Sequence, residues 1–501
     1  MRHWKLAGST AMLALIAGGS AWADVTPEQV WQNWQEMSKS YGQTLTAAST
    51  ERQGDTLVVQ GLELRAEQPE IKASGKIDKV NFRDKGDGTV EITMSDSYPL
   101  TIEFLKEGKQ EATAHLQVSA PGLIMTAAGT TDETSYDFNA PNAAVTLQSI
   151  DSEDAAAKTA TFDMAMTGLS GKYLVGPGTG EGKMVQSSVS ADQLSLQGGA
   201  QAPDGKFALT ATVAQLSGSS SGNFLGAAAM ADPGAALRAG FAVDGTFSYG
   251  ATKFDMDVED KGKPAKIAGS ATGGDFNVAM DKGRLVYGGG GKGVNMSITS
   301  AEIPFPINVA YSEGAFNLLM PVSKTDAPAD FAFLTKLVDL TVSEEIWALI
   351  DPGKTLPRDP ATVIIDTKGT ATLSADLMDE AAMKALGDAP PGELHSLDIN
   401  ALQASIAGAQ LNGTGALTFD NSDKVTFGGA PAPTGKVDLK LTGGNGLLDK
   451  LVALGLVPQD TAMQVRMMTA MFSKPGAGAD ELTSEIEFKD KGFFVNGQRL
   501  Q

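Results

Sequence analysis

Gly218-Ser219-Ser220-Ser221-Gly222 matches G-x-S-x-G, the pattern that lifts a serine nucleophile onto a sharp strand-to-helix turn. It follows a plausible strand, Phe207–Leu216, but the residues after it, Asn223-Phe224-Leu225-Gly226, open no helix. The only histidine left downstream is His395, on the apolar parity of its strand with Leu397 and Ile399. Three serines between glycines read instead as a flexible linker. Gly288-Gly289-Gly290-Gly291-Lys292-Gly293 matches G-x-G-x-x-G, yet Val294, Met296 and Ile298 alternate with Asn295 and Ser297, so the glycines lead into a strand. A pyrophosphate needs the N-terminus of a helix there, and a phosphate loop needs Ser or Thr where Gly293 stands. A glycine-rich hairpin is the expectation.

Metal chemistry fares no better. His115 lies on the wet side of an alternating strand, and a histidine-based site needs two that converge. Asp255, Asp257 and Glu259 resemble a calcium ladder, but a strand throws all three to one face without wrapping an ion. Met463, Met467, Met468 and Met471 have the softness for copper, and at helical spacing beside Val465 and Phe472 they read as adaptable core. With no cysteine there is no thiol nucleophile, disulfide, thiolate zinc site or lipid-modified N-terminus. The sequence therefore assigns no catalytic residue, no cofactor and no metal ligand.

One constellation points to structure or to binding. Between Asp351-Pro352 and Asp359-Pro360 the prolines hold the chain near φ −65°. Arg358 follows Pro357, stands next to Asp359, and reaches Asp351 if the loop doubles back; its planar fork suits a carboxylate. The expectation is a clasp of Asp351, Arg358 and Asp359 that seats Trp347 on a sheet.

These residues need elements to place them. Thr26, Pro27 and Gln29 form a capping box that starts a helix with Val30, Trp31, Trp34, Met37 and Tyr41 on one face and Gly42 at its end. Two tryptophans on one stripe are read as docking on a sheet. Beyond it the apolar period is two: Val90, Ile92 and Met94; Ala112 to Val118; Phe162 to Met166; Phe254 to Val258; Val437 to Leu441. One dry and one wet face signal antiparallel sheet packed on one side. Four Asp-Lys-Gly turns, at Asp84, Asp260, Asp281 and Asp490, mark hairpins in which glycine is expected to supply positive φ. Residues 327–350 are apolar enough to predict a helix; further helices are expected over 379–386, 447–454 and 461–472, a strand region over 394–419 and a closing hairpin over 481–500. The fold class is α+β, β-dominated, with long antiparallel meandering sheets and helices packed on one face. The predicted organisation is a signal peptide at 1–23, helix plus β-meander at 24–216, a Ser/Gly/Ala-rich linker at 217–236, and a second β region with helical insertions at 237–501.

The signal peptide rests on Arg2 and Lys5, a dozen small or apolar residues, and Ala21-Trp22-Ala23 before Asp24. Its apolar run is too short to span a bilayer, so cleavage after Ala23 and a soluble life in the periplasm are expected. Across 501 residues, 39 basic side chains face 60 acidic ones, a net charge of −21 that repels nucleic acid and bare anionic membrane.

Trp347 to Pro352 with Leu356 to Ala361 resembles the Domain of Unknown Function 2125 family, uncharacterised alphaproteobacterial exported proteins. Asp24-Val25-Thr26-Pro27 with Val30 to Trp34, Met94 to Leu100, and Phe494 to Leu500 are similar too, which spreads the resemblance over nearly the whole chain. It implies an envelope location and no activity. Two readings remain. In one the protein is non-catalytic, its apolar sheet face accepting an acyl chain or lipid, or a strand of another envelope protein. In the other it is a carboxylate-based hydrolase of envelope glycans, which needs two acids at a set separation. Whether the apolar face is filled by the protein's own side chains or left open separates them.

Overall fold

The computed structural model describes residues 25–40, 42–226 and 229–501. The expected signal peptide, its cleavage residues Ala21, Ala23 and Asp24, and Tyr41 lie outside them.

The described residues divide into two compact units. The first runs to Asp275 and includes Ser300–Glu302; the second holds Phe276–Thr299 and Ile303–Gln501. Strand dominates both, and among the described residues the strands of each pair antiparallel. The break therefore falls about forty residues beyond the expected linker.

The first unit opens with α1 (Pro27–Ser40) and β1 (Gln43–Thr46), β2 (Ser49–Gln53), β3 (Thr56–Glu67), β4 (Ile71–Asp84) and β5 (Val90–Met94). Next come β6 (Ser97–Lys106), β7 (Lys109–Ser119), β8 (Ile124–Gly129), β9 (Thr134–Ser152), the single turn α2 (Ala155–Lys158), and β10 (Thr161–Pro177). Then follow β11 (Lys183–Ala202), β12 (Gly205–Phe224), α3 (Pro233–Arg238), β13 (Ala242–Tyr249), β14 (Thr252–Asp260) and β15 (Lys263–Ala271).

Its capping box is reciprocal: Thr26 N donates to Gln29 Oε1 at 2.9 Å and Gln29 N to Thr26 Oγ1 at 3.3 Å. One face of α1 then buries Val30, Trp31 and Trp34 against Phe82, Val59, Val80 and Ile92. The Trp34 and Phe82 rings meet edge-on at 5.1 Å, and Asn33 Nδ2 ties the helix to Thr134 Oγ1 at 2.8 Å. Two tryptophans on one stripe thus dock a helix. Burial pushes the Tyr136 phenol in this cluster well above its ordinary range.

The Ser/Gly stretch is a strand, not a linker. Ser217–Phe224 completes β12, paired with β11 on one side and β13 on the other. Small residues suggest flexibility in isolation, but in a central strand they are compact enough for neighbouring strands to close over, and Ser187 and Ser220 share a hydrogen bond at 2.8 Å. The glycine run is likewise internal to β17 (Arg284–Ser300) and makes no hairpin turn.

The turns vary in chemistry. Lys261 at φ 50° and Gly262 at φ 76° join β14 to β15 in the two-residue left-handed form that strand twist favours. At the last copy Asp490 and Lys491 take positive φ and Gly492 does not, a departure from the expected glycine role.

The second unit continues from β16 (Gly273–Met280) and β17 through β18 (Ile303–Pro321), β19 (Ala329–Val342), α4 (Glu344–Ile350) and β20 (Ala361–Leu373). It ends with α5 (Glu380–Leu386), β21 (Gly392–Ile406), β22 (Ala409–Asp420), β23 (Ala432–Thr442), α6 (Gly444–Ala453), α7 (Gln459–Phe472), β24 (Lys474–Pro475), β25 (Glu481–Lys489), β26 (Gly492–Val495) and β27 (Gln498–Arg499). The helix predicted over 327–350 is mostly β19, and only its last seven residues are helical. A strand apolar on both parities looks the same as a buried helix by composition. Here Phe331, Phe333 and Leu337 point one way while Leu334 and Val338 point the other. The region 394–419 is a hairpin, turned at Ala407 (φ 50°) and Gly408 (φ 84°).

Candidate functional site

Register turns the alternation of single strands into whole faces. In the first unit Tyr98 pairs Val118, Val118 pairs Val145, and Val145 pairs Met164. Met164 then pairs Leu196, Leu196 pairs Ala211, Ala211 pairs Phe254, and Phe254 pairs Gly269, over which its ring lies. One residue along, the row on the other face reads Gln117, Thr146, Asp163, Gln197, Thr210 and Asp255. The apolar row crosses eight strands and carries no charge.

The second unit repeats the construction. Leu318, Phe333, Thr367, Ile399, Gly415, Val437 and Ile486 form one row across β18 to β25. The adjacent row on the opposite face holds Lys368, Asp398, Lys436 and Glu487. Four rings make a ladder in this unit: Phe276 to Tyr287 at 5.2 Å, Tyr287 to Phe316 at 6.2 Å, and Phe316 to Phe333 at 5.7 Å. Isolated aromatics on separate strands gave no hint of this in the sequence, because register alone brings them together.

The apolar faces are not closed cores. Away from α1 the side chains of both rows are mostly half-buried, and Phe276, Tyr287 and Phe316 are exposed. They are less completely covered than the cluster around α1.

The clasp residues converge in part. Arg358 Nη1 lies 2.7 Å from Asp351 Oδ2, and Asp351 is fully buried. Asp351 also accepts from Thr355 N at 2.9 Å and Leu356 N at 2.8 Å. Burial alone would raise its pKa, but these donors and the Arg358 guanidinium outweigh that and hold it down at about 2. Arg358 Nη2 reaches Glu344 at 3.2 Å, and the guanidinium sits 4.6 Å from the centre of the Trp347 ring. The second carboxylate is therefore Glu344 of α4; Asp359 is exposed. Sequence proximity favoured Asp359, whereas the doubled-back loop brings the start of α4 alongside. The fork, the stacked indole and the buried acid lock α4 to the loop that follows it.

Other candidates resolve into ordinary pairs. His115 Nε2 is 2.9 Å from Asp151 Oδ2, and His395 Nε2 is 3.0 Å from Thr372 Oγ1. Lys266 lies between Asp255 and Asp257, at 3.7 and 3.8 Å, so the acidic ladder is answered by a cross-strand cation. Among the described residues no three His, Asp or Glu side chains group to hold a metal. Ser220 sits mid-strand, opposite Gly245 of β13, with no turn to lift its hydroxyl. A fluorophosphonate probe is expected to leave it unlabelled, and wild-type labelling that vanishes in Ser220→Ala would reverse this.

The methionine stripe of α7 is not core. Met463, Met467, Met468 and Met471 are 59–67% exposed, and Ala462 is the buried residue of that helix. Helical spacing distinguishes a face from its opposite but does not say whether anything covers it.

Residues 291–500 match the family described as "Uncharacterized protein conserved in bacteria (DUF2125)". That stretch contains the patches at 347–361 and 494–500, while those at 24–34 and 94–100 lie outside it. No curated protein and no solved structure matches the chain.

Proposed function

We propose that this chain, whose residues 291–500 match the DUF2125 family, holds the hydrocarbon part of a lipid against the half-open apolar faces of its sheets, acting after export in the periplasm. The observation behind this is the uncharged, half-open row from Tyr98 to Gly269. At about 4.8 Å per strand, eight strands give a track of roughly 34 Å, about twice the ~15 Å depth of one leaflet's hydrocarbon. Each methylene taken from water is worth about 0.8 kcal/mol, so a dozen gain ~10 kcal/mol before the entropic cost of association. No directional chemistry is needed, which suits a surface of Val, Leu, Met and Phe.

A partner strand is the weaker occupant. Strand addition needs a long free edge, and the C-terminal edge of the second unit ends in β24, β26 and β27, none longer than four residues. At the N-terminal end β1 and β2 are four and five residues long and both already pair β3.

Organic extracts of protein purified from the periplasm should contain lipid by mass spectrometry, and the stripped protein should bind a fluorescent fatty acid. Met164→Asp with Leu196→Asp places two charges in the row and should weaken the probe by about tenfold or more, while Gln197→Asp on the opposite face should not. A lipid-free extract together with no probe binding would end this reading.

A further inference from the structure

We propose that α7 is a membrane-docking helix that lies on lipid surfaces of net-neutral headgroups. Fourteen residues give it a length of ~21 Å. Met463, Met467 and Met471 follow at intervals of four, with Met468 and Phe472 alongside, and all are exposed; the polar residues on this face are Gln464 and, in the first turn at its N-terminal end, Asp460 and Thr461. The hydroxyl of Thr469 donates to the Val465 carbonyl and that of Ser473 to the Thr469 carbonyl, so neither demands a partner outside the helix. Unbranched methionines adapt to irregular apolar surroundings, which suits fluid acyl chains.

Charge selects the surface. The chain as a whole carries −21, but residues 444–475 hold three basic and two acidic side chains. Arg466, the one cation of α7, is paired with Asp449 of α6. The methionine face carries no lysine or arginine with which interfacial helices engage anionic lipid, and its one acid, Asp460, stands in the first turn at the end of the face. Position supports the same occupant. The Phe472 carbonyl at the end of α7 accepts from Ser484 Oγ, and Ser484 stands opposite Leu439, on the parity of Ile486 and the apolar row. A chain leaving a leaflet along α7 would meet the second unit's apolar face directly. The inference shares the lipid reading above but concerns a different surface, and its test separates the two.

The full chain, free of lipid, is mixed with phosphatidylcholine vesicles and floated on a density gradient, with phosphatidylglycerol-containing vesicles in parallel. Wild type should float with phosphatidylcholine no less than with the anionic mixture. Met467→Ser with Met471→Ser alters exposed positions, so folding by circular dichroism should be unchanged while partitioning falls about tenfold or more. The double aspartate variant in the first unit's row should bind the fatty-acid probe about tenfold more weakly and still float. Wild type that does not float, or a serine variant that floats equally, would overturn docking by α7, and a preference for the anionic vesicles would overturn its assignment to net-neutral surfaces. Docking would likewise be overturned by wild type that self-associates in sedimentation, without vesicle binding, while the serine variant stays monomeric, since α7 would then join two copies. Probe binding without flotation removes docking and leaves the lipid reading standing.

Discussion

Phe82→Ala is expected to destabilise the first unit by about 3–5 kcal/mol, the range for deleting a buried ring from a packed core. Phe82 is fully buried and its ring meets both α1 tryptophans, Trp34 at 5.1 Å and Trp31 at 6.0 Å. This cluster holds most of the first unit's buried apolar side chains, so the loss falls on its main core. The denaturant midpoint followed by tryptophan fluorescence measures it, and Trp347→Phe removes the contribution of the second unit. Phe82→Leu should cost much less. A loss below about 1 kcal/mol for Phe82→Ala would mean that α1 does not rely on this contact.

The second large effect belongs to the clasp and depends on pH. Asp351 is held at about 2 against an ordinary 3.8. As pH falls the unfolded chain takes up its proton near 4, whereas the folded protein resists until about 2. The stabilisation is therefore fully present above pH 4 and is lost progressively between about 4 and 2. Arg358→Ala leaves Asp351 buried without its cation and should lower the melting temperature by several degrees at pH 7. Asp351→Asn should do likewise, and its deficit against wild type should stay constant above pH 4 and close towards pH 2. A deficit that persists unchanged at pH 2 would show that the carboxylate's charge is not the source. Arg358→Ala that melts like wild type yet loses co-purified lipid would make the loop a binding element rather than a lock.

Much of the strand content was legible because a one-sided sheet writes its faces into alternate residues. Phe254, Met256 and Val258 announce β14, and Val437, Leu439 and Leu441 announce β23. The α1 cap was legible because Thr26 and Gln29 are local partners. What failed was non-local. Residues 329–342 are apolar on both parities, so nothing in the run distinguishes strand from helix. Ser217–Phe224 looked loose because its order comes from β11 and β13, not from its own side chains. The exposure of Met467 and the ring ladder from Phe276 to Phe333 depend on what does or does not lie opposite, which no window of sequence contains.

Antiparallel hairpin pairing also has a consequence for how such a protein can change length. Each hairpin returns the chain to its starting direction, so inserting or deleting two strands preserves the side on which every later apolar residue falls. A gained hairpin such as β14–β15 would widen the dry face by about 9.6 Å without disturbing the α1 cluster or the Asp351 clasp. Descent by addition and loss of hairpins could therefore tune the reach of the face while leaving its chemistry untouched.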